Sequence, residues 1–350
     1  MAATTTGVYH RSYRADLALR ATRIEYVRLA LTAAVVVAAP FLVSPTWLTV
    51  LDQIGIAAIG AIGLNILVGS TGQISLGQGG FLAVGAYTAG LLSAKAGFPF
   101  VPGIAGAAAM TAVVGAFFGL PALRLKGLYL AIATLASQQI ILWVVTHWDA
   151  VTGGTTAVVV PPPDLFGIDI AGDFNFYWVI LFFAVVAVLA TTNLLRSDIG
   201  RAFVAIRDQD IAASAMGVDV TRYKVLAFFV SSGLVGVAGA LTAYHTQIVS
   251  WERFTLETSI LYLAMIIVGG LGSVSGAIYG AAFIVALPAF IQEMSFSVGG
   301  AFTFLERELP AIQQLIFGLV IVLFLIFEPR GLARIWERMK DYFRLWPFRH

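Results

Sequence analysis

Residues 54–94 read IGIAAIGAIGLNILVGSTGQISLGQGGFLAVGAYTAGLLSA, 41 residues without one Asp, Glu, Lys or Arg. As a single helix this run would be about 60 Å long, and the hydrocarbon core of a bilayer is only about 30 Å thick. It therefore divides into two spans at its polar, Gly/Ser-rich middle. A second charge-free run, the 34 residues 258–291, carries the same kind of interruption. The two interruptions match at an offset of 200: Ile66/Ile266, Val68/Val268, Gly69/Gly269, Gly72/Gly272, Ser75/Ser275 and Gly80/Gly280. This pattern suggests an internal duplication.

Charged residues make up 11% of the chain, against about 25% in soluble domains, and mean hydropathy is +0.89. A large soluble protein would interrupt its apolar stretches with charged helix faces every few residues, and none of that interleaving is present. The composition describes an all-α polytopic membrane protein. Charge-free runs give about ten transmembrane segments (8–10, some broken or re-entrant): 29–51, 54–70, 76–94, 98–120, 128–147, 177–195, 225–248, 258–270, 276–292 and 309–327. The segments 54–70 and 258–270 are short enough to be read as broken or re-entrant helices.

Positive charge orients the spans. With the N-terminus inside, 18 of the 21 Lys/Arg fall on the inner side, and only Lys95, Arg253 and Arg307 fall outside. The expected organisation is a basic cytoplasmic arm over 1–28, a transmembrane domain over 29–327 with a cytoplasmic loop at 196–224, and a basic cytoplasmic tail over 328–350. Residues 148–176 carry Asp149, Asp164, Asp169 and Asp173 and form the main external loop.

The ten spans contain no Asp, Glu, Lys or Arg, which argues against a proton- or sodium-driven carrier. His147 and His245 lie at external span ends, where an interfacial role suffices. Cysteine is absent, and no catalytic set or metal-ligand spacing is expected in the spans. The four lysines never follow glycine in a Gly-Lys-Ser/Thr sequence, so the chain has no P-loop. If ATP drives the protein, another polypeptide holds it. Nothing points to nucleic acid.

That requirement directs attention to 196–224. At helical spacing Ile199, Phe203 and Ile206 share one face, and Arg201 and Asp208 lie opposite. A second run, Ile211 to Met216, ends at Gly217, a suitable C-cap, and Asp219 or Thr221 can cap the next span. The segment Gly200-Arg-Ala-Phe-Val-Ala-Ile-Arg-Asp-Gln-Asp-Ile-Ala-Ala-Ser-Ala-Met-Gly217 resembles the coupling loop of LivM-type permeases of branched-chain amino-acid ABC importers. The importer pattern Glu-Ala-Ala, three residues, Gly is met at Ala212, Ala213 and Gly217, but Ile211 stands where the pattern has Glu. The departure removes a charge that could pair with a partner.

Further motifs are similar to the same family: Gly63 to Tyr87, Gly127 to Ala136, Thr152-Gly-Gly154, Val268-Gly-Gly-Leu-Gly-Ser273 and Phe327-Glu-Pro-Arg-Gly-Leu332. The resemblance implies an inner-membrane permease subunit that works with a homologous second permease, two ABC ATPase subunits carrying ATP and Mg, and an external substrate-binding protein. It implies leucine, isoleucine and valine as cargo; related permeases carry urea, short amides or aromatic acids. It also implies ATPase coupling through Gly200, Arg201, Phe203, Ile206, Asp208, Ala212, Ala213 and Gly217. A passive channel is the alternative of a different class. From the residues themselves, Gln73, Ser75, Gln78 and Asn65 are candidates for a lined pathway, with Gln138, Gln139 and Thr134 behind them. Gly272, Gly276 and Gly280, four apart, are expected to pack helices closely.

Overall fold

A computed structural model describes residues 23–298 apart from Leu123, Phe166 and Gly167, together with scattered positions between Leu315 and Arg338. The 309–327 span, the C-terminal tail and most of the basic arm lie largely outside the described residues. The chain forms α1 Arg23–Leu42, α2 Pro45–Asn65 continued by a π-turn Ile66–Ser70, α3 Gln78–Ala96, α4 Phe100–Ala122 and α5 Leu128–His147. A short α6 Asp149–Thr152 precedes strands β1 Val158–Val159, β2 Asp164–Leu165 and β3 Ile168–Asp169. Then come α7 Asp173–Arg196, α8 Asp198–Ala215, α9 Val220–Thr246, β4 Ile248–Val249, α10 Leu256–Gly269 and α11 Val274–Val298.

Among the described residues, six helices are long and apolar enough to cross a membrane: Pro45–Ser70, Phe100–Pro121, Leu128–His147, Asp173–Arg196, Val220–Thr246 and Val274–Glu293. The expected first segment, 29–51, is corrected: it straddles two helices. Proline lacks a backbone N–H and has a fixed φ, so Pro45 opens α2 after extended Ser44, and the chain breaks there. The expected 54–70 is consequently the inner part of a full 26-residue span rather than a re-entrant piece.

α2 runs through the centre, with Ile59, Ala61, Ile62 and Leu64 wholly enclosed, and it packs against α7, α9, α10 and α11. Lipid gives helices no hydrophobic reason to associate, so close van der Waals approach must hold them. Glycine permits it: a Cβ on Gly85 of α3 would lie 2.4 Å from the Gly236 carbonyl oxygen, and one on Gly239 of α9 would lie 2.3 Å from that of Leu82. The outer faces are apolar, with Phe117, Trp143 and Phe182 each over 60% exposed, as a lipid-facing rim requires.

The bundle has two unlike ends. At one, Lys95 donates to the carbonyls of Ala150 and Val151, and β1 pairs antiparallel with β4 in the register Val158↔Val249. β2 and β3 form a small hairpin there. The other end carries both glycine-rich breaks, the α4–α5 turn and α8. α2–α3 and α10–α11 run in the same direction, so the two matched interruptions are parallel and adjacent.

Candidate coupling element and polar break

α8 is two helices joined at Gln209, whose backbone is extended (φ −162°, ψ 101°). The first half is amphipathic, and its apolar face turns inward: Phe203 is fully buried, packed with Leu67, Leu130, Ala227 and Phe228, with Ile199 against the same cluster, and Ile206 is nearly fully buried. Gly200 also faces inward, since its Cβ would meet the Leu195 backbone at 2.2 Å. Phe203, Ile206 and Gly200 therefore anchor the element to its own membrane helices, and they do not present a docking face. Arg201 is exposed and paired with Asp198, and Asp208 is exposed beside Arg207 at 3.2 Å.

The second half is the exposed part. Ile211 is 72% and Met216 86% exposed, Ala212 and Gly217 lie beside them in solvent, and Ala213 points inward. Gly217 adopts φ +89°, and Val218 N–H closes the turn on the Ala213 carbonyl at 3.0 Å, so the helix stops as a glycine cap stops it. Asp219 accepts from the Arg222 N–H at 3.1 Å and starts α9.

Asp210, just after the kink, is clamped by Lys126 of the α4–α5 turn at 2.6 Å and Lys224 of α9 at 3.5 Å. The Lys126 hydrogen bond, with both lysine charges, holds its carboxyl below the ordinary carboxylate range. A depressed folded value means that the stabilisation is complete above the unfolded value of about 3.8 and is lost as pH falls through the folded one. Asp210→Ala should loosen α8 by about 1–2 kcal/mol, because Lys224 is left buried without its carboxylate. Lower amide-exchange protection over 198–215 in the variant at pH 7, with wild-type protection factors unchanged down to about pH 5, is the expected measurement.

Arg207 joins this element to the breaks. Its Nη1 donates to the Gly69 carbonyl, freed by the π-turn, at 3.2 Å. A Cβ on Gly72 would lie 3.1 Å from Arg207 Cγ, and one on Gly272 would lie 3.4 Å from Nη1. Asn65 fastens the two breaks to each other: its Nδ2 donates to the Ser273 carbonyl, and its Oδ1 accepts from Gly272 N–H, both at 2.9 Å. Gly272, at φ +79°, thus serves this turn, in contrast to the expected ridge. Gly276 and Gly280 meet α10 backbone to backbone, their Cβ positions 2.7 Å from the Gly269 oxygen and 1.8 Å from the Met265 oxygen.

The other polar residues of the first break are buried and mostly satisfied within the chain. Gln78 donates to the Gly60 carbonyl at 3.0 Å, Gln73 to Thr71 Oγ1 at 2.9 Å, and Ser75 Oγ accepts from Gly77 N–H at 3.3 Å. Thr134 accepts from Leu76 N–H, and Gln138 bonds Ser259 and the Phe254 carbonyl. Gln139 points outward, away from the break. Gln78, Thr134 and Gln138 thus cross-link distant segments, Gln73 and Ser75 bond within the break, and none of these groups lines the cavity of about 1280 Å³ at the opposite end of the bundle. Gln73 Oε1 alone of this group is buried without a partner.

A family model described as the branched-chain amino acid transport system / permease component matches residues 46–325. The chain belongs to this family. It is 33% identical over 322 residues to the high-affinity branched-chain amino acid transport system permease protein LivM of Salmonella typhimurium, covering 85% of this chain and 72% of that one. It is 34% identical over 320 residues to LivM of Escherichia coli, with the same coverage. It is also similar to the probable permease LivH of Methanocaldococcus jannaschii, 29% identical over 305 residues, covering 80% and 89% of the two chains. No solved structure matches significantly. As a permease component the chain is a multi-pass membrane transport subunit.

Three residues of this permease carry no local sequence signal for the roles they take in the fold. Arg207 is one of five cations on its loop and looked like any other inner-side charge. Asp210 gave no separate signal. Asp52 falls between the expected segments 29–51 and 54–70, which hold no acid, yet it sits inside α2, wholly buried. His147 is exposed and stacks on Trp143, as an interfacial residue would, but His245 is turned in toward Asp52 at 3.9 Å.

Proposed function

We propose that the chain is the LivM-type half of an ATP-driven importer in the cell inner membrane. It would translocate leucine, isoleucine and valine delivered by an external binding protein. A second, homologous permease completes the pathway, and two ABC ATPase subunits hold ATP and Mg. Both termini and α8 face the cytoplasm. The observation that carries this reading is the two-part α8: its first half is locked into the membrane helices by Phe203 and Ile206, and its second half exposes Ile211, Ala212, Met216 and Gly217. A rigidly anchored element with an exposed apolar tip suits transmission of a push from a cytoplasmic partner. Ile211 replaces the acid of the importer pattern with an apolar contact, so the partner groove is expected to be apolar there. The buried Gln73, Ser75, Gln78 and Asn65 would then shape the wall of the pathway from behind as the hinge that moves.

The test is reconstitution of the chain with its neighbouring permease and ATP-binding subunits in proteoliposomes. Leucine uptake should require binding protein and ATP, and should stop with vanadate. Uptake that proceeds without ATP would make it a channel, and a chain that never co-purifies with an ATP-binding subunit would overturn the assignment.

A further inference from the structure

At the end of the bundle away from α8, three helices place one ligand group each at a common point. Asp52 comes from the second turn of α2, Asp173 from the first turn of α7 and His245 from the last turn of α9. Their ligand atoms lie within 4.8 Å of one another. Asp52 is wholly buried, and both of its carboxylate oxygens lack a hydrogen-bond partner. A buried carboxylate in that condition carries a heavy desolvation cost, so its position calls for a positive ligand.

The surroundings hold the other two groups in place. Thr49 Oγ1 donates to Asp173 Oδ2 at 2.6 Å, and the His245 imidazole stacks on Phe176 at 5.7 Å and 26°. Outer contacts that fix the orientation of ligands are the mark of a built metal site. Access is available as well: Thr49 and Asp173 line the large cavity, whose wall also bears Glu257 and Glu293. Those carboxylates would draw cations inward, and Arg253 opposes them from the turn before α10.

We propose that Asp52, Asp173 and His245 bind one divalent transition-metal ion of the Zn²⁺ type. One imidazole with two carboxylates suits a borderline ion better than Ca²⁺ or Mg²⁺, which favour all-oxygen shells. Bound there, the ion fastens α2, α7 and α9 together at the end opposite the coupling element. The site is independent of the cargo and of the ATPase.

The experiment uses the assembled transporter, purified in nanodiscs through a tag without histidine, stripped with EDTA and equilibrated separately with Zn²⁺, Ca²⁺ and Mg²⁺. Metal content by mass spectrometry should show one Zn²⁺ per copy of this chain, retained against a large excess of Ca²⁺ or Mg²⁺, with a raised thermal midpoint. His245→Gln and Asp173→Asn, mild changes at half-buried positions, should each weaken retention about tenfold or more and abolish the thermal shift. Failure of the wild type to retain Zn²⁺ would overturn the site. So would equal retention in both variants, which would indicate an adventitious ion only, or preference for Ca²⁺ or Mg²⁺.

Discussion

Arg207→Met should leave the permease in the membrane at normal abundance and cut ATP-driven uptake about 10- to 100-fold, while ATP hydrolysis by the assembled transporter continues. Arg207 is the described contact that ties the coupling helix to both glycine-rich breaks at once: it donates to the Gly69 carbonyl and lies against Gly72 and Gly272. A charge-assisted hydrogen bond contributes about 1.5–3 kcal/mol, and about 1.4 kcal/mol is a factor of ten in an equilibrium. Methionine keeps much of the apolar stem, so α8 still docks through Phe203 and Ile206. What is lost is the connection from the moving element to the freed carbonyl. Uptake and ATPase rates measured side by side decide the matter: if both stay at wild-type levels, or fall together in strict proportion, Arg207 does not transmit the motion.

Gly280→Val should disrupt the fold, with a loss of at least about 3 kcal/mol, more than a hundredfold in the folding equilibrium constant. A Cβ at this position would lie 1.8 Å from the Met265 carbonyl oxygen and 2.9 Å from Gly269 N, both backbone atoms that cannot turn aside as a side chain could. α10 and α11 would have to separate, and in lipid no hydrophobic gain elsewhere offsets the lost contact. Gly172→Ala is the control, because no atom lies within 4 Å of its Cβ position. Gel-filtration profile and melting temperature in detergent should be unchanged for Gly172→Ala and collapsed for Gly280→Val. A normal profile for Gly280→Val would show that the hairpin is loosely packed.

Much of this architecture is legible in the residues. Span length divides 54–94, the glycine and serine content marks where it breaks, and the periodicity of Ile199, Phe203 and Ile206 correctly gathers them on one face. The caps at Gly217 and Asp219 follow from local backbone chemistry. The sequence pattern carries no information about what a face meets, however, and Phe203 proves to face its own chain. Boundaries drawn from charge alone also mislead: Asp52 looked like the end of a span, yet Pro45 had already supplied the helix start. The links from Arg207 to Gly69 and from Asn65 to Gly272 join residues 138 and 207 positions apart, beyond the reach of any local pattern.

The clasp made by Asn65 has a bearing on how the protein is made. Its partners, Gly272 and Ser273, are synthesised more than 200 residues later. At about 5–20 residues per second, the ribosome delivers them about 10–40 s after Asn65 has emerged. Through that interval the first hairpin sits in the bilayer with a side-chain amide still awaiting its partners. Arrival of the second hairpin supplies those partners and satisfies the amide. The clasp thus forms only once the second glycine-rich turn is in place, so the two breaks lock together late in synthesis.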